Sequence, residues 1–298
     1  MPFDPSASLK FVTIFLLSLS SVIICLRCWI RFSIRYFGLD DWLMLIGQIL
    51  YIGTCIAIII GSYNGFGTLD KYLTNENMSL LIAQALYCLG SIFIKGSICV
   101  TLVRLSNTIT VTYLAYAVIT INSIGTITAF IIILSVCKPI SAQWDPSAGH
   151  CASTSVIIGA SYFLSATSIL TDFSCVLLPT ALLWTLNLKW KVKAPIICML
   201  GFGIFASTAT IIRIKYFRNY SQNTNYLHGV ANIVLWSVVE LGIGLSAGSV
   251  AALRPLLRWM VSGYLVESRV TASSRTPISR RRGGGELEQQ ASATYDGL

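Results

Sequence analysis

The sequence predicts an all-α membrane protein: a seven-transmembrane helix bundle with its N-terminus outside and its C-terminus in the cytosol. Three observations predict it. Of 298 residues, 55% are hydrophobic and only 11% are charged, against about 25% charged in a soluble domain. The apolar residues gather in seven runs, each close to or above the roughly 20 residues that cross a hydrocarbon core. Lysine and arginine are biased toward alternate ends of those runs, the positive-inside signal.

The runs are 9–30, 41–62, 79–105, 110–136, 154–186, 194–215 and 230–257. The first follows "MPFDPSASLK", which has one acid and one base and no basic n-region, so it reads as an uncleaved helix. The second opens on "GLDDWLM". Asp40 is placed to cap it by accepting from the amides of Trp42 or Leu43. Asp41 sits in the first turn, where the helix dipole favours an anion. The third run carries Lys95 and ends at Arg104 in "TLVRLSN". The fourth carries no charged residue. The fifth holds Pro179, a site for a kink. The sixth follows the basic loop "LNLKWKVKA". The seventh carries Glu240 and the GxxxG of Gly244 and Gly248, which permits close helix approach.

Three domains follow: a short extracellular N-terminus (1–8), the seven-helix domain (9–258) and a basic, disordered cytosolic tail (259–298). The inner side then holds Arg27, Arg31, Arg35, Arg104, Lys189, Lys191, Lys193 and the arginines of the tail. The outer side holds Lys10, Lys71, Lys138, Arg213, Lys215 and Arg218. Asn77 and Asn219 head glycosylation triplets on the outer side. Cys137 and Cys151 bracket the outer loop "CKPISAQWDPSAGHC"; a disulfide fits that oxidising side, with two free thiols as the alternative.

These segments also carry a resemblance. "GLDDWLM", "IKGSICVTLVRLS", "CKPISAQWDPSAGHC", "LTDFSCVLLPTALLWTLNL" and "VLWSVVELGIGLSAGSVAALRPLL" resemble the fungal rhodopsin-like domain proteins, seven-helix membrane proteins of filamentous fungi. The resemblance covers roughly residues 10 to 260. It implies a fungal source and two kinds of relative: receptor-like sensors and proteins encoded in secondary-metabolite or mycotoxin clusters. It does not imply retinal here. A retinal protein needs a Schiff-base lysine in its last helix, and 230–253 contain none. No cofactor is expected.

Lys95, Asp172 and Glu240 lie inside the spans, where each costs about 3 kcal/mol at mid-bilayer. Their neighbours repeat at helical spacing: Gln84, Cys88, Ser91 and Cys99 around Lys95; Ser161, Ser165, Ser168 and Cys175 around Asp172; Ser237, Gly244, Ala247 and Gly248 around Glu240. The three charges therefore face the bundle. Depth along the helices places Lys95 level with Asp172, which suggests an ion pair, and puts Glu240 nearer the midplane, one turn from Trp236. Two readings stay open: a pair that fixes helix register, or a ligand, ion or proton site, with Glu240 the stronger ligand candidate.

Arg104 invites comparison with the arginine of receptor helix three. It lacks the flanking acid of that motif, and the seventh span has no NPxxY, so a snorkelling interfacial arginine is favoured; Arg31, Arg35 and Arg104 share a face with Asp40 and Asp41 and could pair with them as an inner charge cluster. The two histidines, His150 and His228, lie at the outer edge. There is no HExxH, no GxSxG and no phosphate-binding loop. The expectation is no enzyme, no metal and no nucleic-acid partner. Membrane lipid, a small-molecule ligand and a cytosolic signalling partner remain. A receptor would take its ligand at an outer mouth near Tyr63 and Trp144. The alternative is a transporter or an accessory protein of a biosynthetic cluster, in a plasma or secretory-pathway membrane.

Overall fold

In the computed structural model the described residues are 5–33, 35, 37–63, 76–105, 108–143, 149–185, 201, 203–214 and 226–252. They form seven helices: α1 (Pro5–Ser33), α2 (Leu39–Tyr63), α3 (Glu76–Leu105), α4 (Ile109–Ser135), α5 (Thr154–Thr185), α6 (Gly203–Ile214) and α7 (Tyr226–Ala252). Six of these, all but α6, contain a stretch long and apolar enough to cross a membrane. All described residues belong to one unit, Met1–Pro255; the second, Leu256–Leu298, lies outside them, as do the tail, Asn219 and Trp144.

The bundle exposes large apolar side chains and buries its polar and charged ones beside an apolar core, as expected where lipid is the solvent. On α1, Phe11, Phe15, Val22 and Trp29 are exposed, while Thr13, Ser20, Arg27 and Arg31 are buried. A helix facing water would reverse this pattern. α3 is the central element, touching α2, α4, α5 and α7, and α1 packs between α2 and α7.

Glycines set the closest approaches. A Cβ on Gly248 would run into the Met44 and Ile98 side chains, and one on Gly47 would come within 2.8 Å of Ile94. These two positions let α2, α3 and α7 meet backbone to side chain. Gly203 on α6 is likewise filled by Val176 of α5.

The start of α2 differs from the sequence reading in a way that changes the role of a residue. α2 begins at Leu39, so Gly38 holds the capping position and Asp40 lies inside the helix. Its first turn is closed by Asp41, whose Oδ2 accepts from the Gly38 amide at 3.0 Å. That is the back-reaching half of a capping box. Asp40 is therefore not the cap. α5 continues as helix through Pro179 to Thr185.

Between α4 and α5, β1 (Cys137–Lys138) pairs antiparallel with β2 (His150–Cys151), around a 3₁₀ turn at Ile140–Gln143. Cys137 and Cys151 are joined in a disulfide. The bridge closes a loop with a sequence separation of 14, for which chain entropy gives about 3 kcal/mol. Changing both cysteines to serine is expected to lower the thermal midpoint accordingly. An unchanged midpoint in the double variant would count against a structural role for the bridge.

Candidate functional site

Two buried polar assemblies lie in the bundle, one above the other along α3. The first is an ionic centre joining α3, α5, α6 and α7. Lys95 Nζ lies 2.9 Å from Asp172 Oδ1 and donates to Ser168 Oγ at 2.8 Å and Thr171 Oγ1 at 2.9 Å. An ammonium has three protons to give, and these three contacts use them. Its nitrogen is also 3.9 Å from Glu240 Oε1. Lys95 and Asp172 are thus brought together across α3 and α5, and Glu240 joins them from α7.

Glu240 is the more heavily supplied of the two acids in this centre. Ser168 Oγ donates to its Oε1 at 2.5 Å and Tyr87 OH to its Oε2 at 3.0 Å. Arg213 Nη1 stands 3.3 Å from the same Oε2. Arg213 also donates to Tyr87 OH at 2.8 Å, to Ser237 Oγ at 3.1 Å and, through Nη2, to Ser165 Oγ at 3.1 Å. Two cations and two anions thus balance in a site where all four side chains are buried. Asp172 is supplied on one side only: its Oδ2 is buried with no hydrogen-bond partner among the described residues.

Arg213 is a correction. The sequence reading placed it among outer-surface charges. The structure buries it within α6, 2% exposed. The signal was present: Ala206, Thr210 and Arg213 recur at helical spacing and are all buried, the same kind of face that marks Lys95 and Asp172. Tyr87, the hydroxyl between Arg213 and Glu240, gave no such signal because tyrosines also mark membrane interfaces.

Beside the ionic centre is a cavity of about 60 Å³. Lys95, Asp172 and Glu240 line it together with apolar side chains of all four helices, among them Ile98, Val176 and Ile243. Trp236 is half-buried one turn before Glu240 and is not part of the lining. The end of the bundle at Tyr63 offers less: Tyr63 is 76% exposed, with the Lys10 ammonium 4.3 Å above its ring.

The second assembly is a charge cluster around Asp40 and Asp41, each 1% exposed. Arg27 reaches Asp41 Oδ1 at 2.8 Å and Asp40 Oδ2 at 3.0 Å, and donates to the Gly248 carbonyl at 2.9 Å. Arg31 lies 3.2 Å from Asp40 and 3.6 Å from Asp41. Arg104 completes the set at 2.9 Å from Asp40 Oδ1. Ser97 donates to the Asp40 carbonyl at 2.6 Å and Thr101 to Asp40 Oδ2 at 3.3 Å. Arg104 is thus an ion-pair partner of Asp40, with its side chain 33% exposed, so the grouping of Arg104 with Asp40 and Asp41 is present in the structure and the plain snorkelling reading is not. Arg27 and Arg31 were counted as loop charges; both are buried in α1. A Cβ on Gly38 would collide with the Arg104 guanidinium, so the chain turn is fitted to the cluster. Four helices, α1, α2, α3 and α7, are tied at this end.

Asn77 falls in the first turn of α3, where its side chain lies outside the described residues.

Comparison with known proteins adds a lineage. The polyenoic acids biosynthesis gene cluster protein Ba17b of Metarhizium anisopliae is 23% identical over 271 residues, covering 83% of this chain and 72% of that protein. The fugralins biosynthesis cluster protein 2 of Gibberella zeae is 26% identical over 121 residues, covering 39% of this chain and only 29% of that protein. No solved structure matches the chain. Residues 26–259 match the family described as the fungal rhodopsin domain. The match begins within α1 and runs past the end of α7, taking in both polar assemblies, and the chain belongs to the fungal rhodopsin domain family.

Proposed function

We propose that this membrane protein is a receptor-like sensor of a small ligand, working without retinal and without catalysis, and that the ligand occupies the cavity at the ionic centre. The observation that carries the reading is the cavity wall itself. Three buried charges from three helices meet there, and Asp172 retains an unpartnered carboxylate oxygen. Intramembrane ionisable residues of this kind mark ligand, ion or proton sites by default. A ligand at Asp172 would compete for Lys95, whose nitrogen already lies between Asp172 and Glu240 at 2.9 and 3.9 Å. Binding would then shift the balance between α5 and α7.

In this reading the N-terminus is outside and the C-terminus cytosolic. The inner basic residues meet anionic lipid, at about 1 kcal/mol each, or a cytosolic signalling partner. Retinal is disfavoured because Lys95 is the lysine deep in the described bundle and its amine is held by Asp172, Ser168 and Thr171. Protein reconstituted with retinal is expected to show no visible band; a band abolished by Lys95→Ala would overturn this.

A second reading, a transporter or accessory protein of secondary metabolism, is favoured by the relatives' names, both taken from biosynthetic clusters. One experiment separates the two. Purified protein is screened for thermal shift against fungal metabolites, and hits are tested for flux into proteoliposomes. A shift without flux supports the sensor. Flux of the same compound supports the carrier and sinks the sensor reading.

A further inference from the structure

The charge balance and hydrogen-bond inventory of the cavity restrict what can enter it. We propose that the site recognises an uncharged hydroxyl group carried on an apolar body, and discriminates against carboxylates and ammonium ions. This rests on the ligand-site reading above and adds the chemical class.

Charge is the first argument. Lys95 and Arg213 balance Asp172 and Glu240 within contact distance. A charged ligand would add an ion with no counter-ion in a buried site, where unpaired charge is far costlier than an unpaired dipole. The second argument is the inventory. The three protons of Lys95 are placed on Asp172, Ser168 and Thr171, and Glu240 receives Ser168, Tyr87 and Arg213. Two buried atoms of the centre have no partner among the described residues, the acceptor Asp172 Oδ2 and the donor Arg213 Nε, and of these two side chains only Asp172 lines the cavity. The ligand must therefore donate. A carboxylate has no proton to give, and a hydroxyl does. The third argument is space and surface. The cavity, about 60 Å³, is otherwise walled by side chains such as Ile98, Val176 and Ile243. At about 10–15 Å³ per water it has room for a few waters or for a hydroxyl with a short alkyl segment.

The test uses the full chain in lipid nanodiscs and three photolabels of equal length: a diazirine-bearing octanol, octylamine and octanoate. Labelled peptides are mapped, and cavity labelling is normalised to lipid-facing positions on α1 such as Phe15. The octanol is expected to label the segments around Val176 and Ala206 about tenfold more than either charged probe. Ala206→Leu fills the cavity from α6 without touching a charge and is expected to abolish that labelling. Asp172→Asn leaves the centre with one excess positive charge and is expected to turn the preference toward octanoate. Equal labelling by all three probes, or a stronger signal from octylamine or octanoate in the wild type, overturns the hydroxyl assignment while a labelled cavity leaves the ligand-site reading standing. No cavity labelling by any probe also overturns the assignment, and the metabolite thermal-shift screen then decides the site independently.

Discussion

Asp40→Ala is expected to be the most damaging single substitution in the bundle, at about 3–5 kcal/mol, the cost of removing one partner from a buried ion pair. The magnitude follows from the company Asp40 keeps. Its carboxylate takes Arg27 and Arg31 on Oδ2 and Arg104 on Oδ1, at 3.0, 3.2 and 2.9 Å. Without it, Asp41 alone of the two acids faces Arg27 and Arg31, both almost fully buried, and Arg104 loses its 2.9 Å contact with Asp40. The effect should be lopsided. Arg104→Gln should cost less than about 1 kcal/mol, because a third of that side chain already meets solvent and such pairs contribute little. Thermal unfolding in a mild detergent reads both. If Asp40→Ala melts with the wild type, the cluster does not hold the four helix ends together.

The second large effect is expected at the ionic centre, and its design needs care. Lys95→Met strands Asp172 in the bundle and removes a cation from beside Glu240, again at about 3–5 kcal/mol. Exchanging the two charges is a poor test of the pair: an acid at position 95 would stand beside Glu240, which lies 3.9 Å from the present ammonium. The informative partner is the neutral double variant, Lys95→Met with Asp172→Leu. It leaves Glu240 paired to Arg213 at 3.3 Å. Replacing a buried ion pair by apolar groups is often neutral or stabilising, so most of the single-variant loss should be recovered. A double variant as unstable as the sum of the singles would mean that Lys95 and Asp172 do not act as a pair.

Much of this arrangement is legible along the chain because a membrane bundle is organised by a simple contrast. Small and polar side chains repeating every three or four residues have only the interior to face. That rule locates the faces carrying Lys95, Asp172 and Glu240. It fails where a charge has two homes. Arg213 near a span end reads as a loop charge, and Arg27 near the end of α1 reads the same way. Each is buried because an acid waits for it on another helix, Glu240 for one and Asp40 and Asp41 for the other. Partner choice between distant helices is tertiary information, and one-dimensional spacing does not contain it. The cap differs for a local reason: α2 starts two residues earlier, which moves Asp40 into the helix, puts Gly38 at the capping position and makes Asp41 the acceptor of its amide.

The sequence separation of the two assemblies has a consequence for how the protein is made. Arg27 and Arg31 meet their acids 9 to 14 residues later in the chain. The first two helices can therefore enter the bilayer as one neutralised hairpin. Lys95 has no such neighbour; its partners on α5 come 73 to 76 residues later. At a synthesis rate of about 5–20 residues per second, the third helix carries a bare ammonium for roughly 4–15 seconds before a counter-ion emerges from the ribosome. The translocation machinery must shelter that helix for the interval, which makes α3 the step at which biogenesis of this protein is most exposed to quality control.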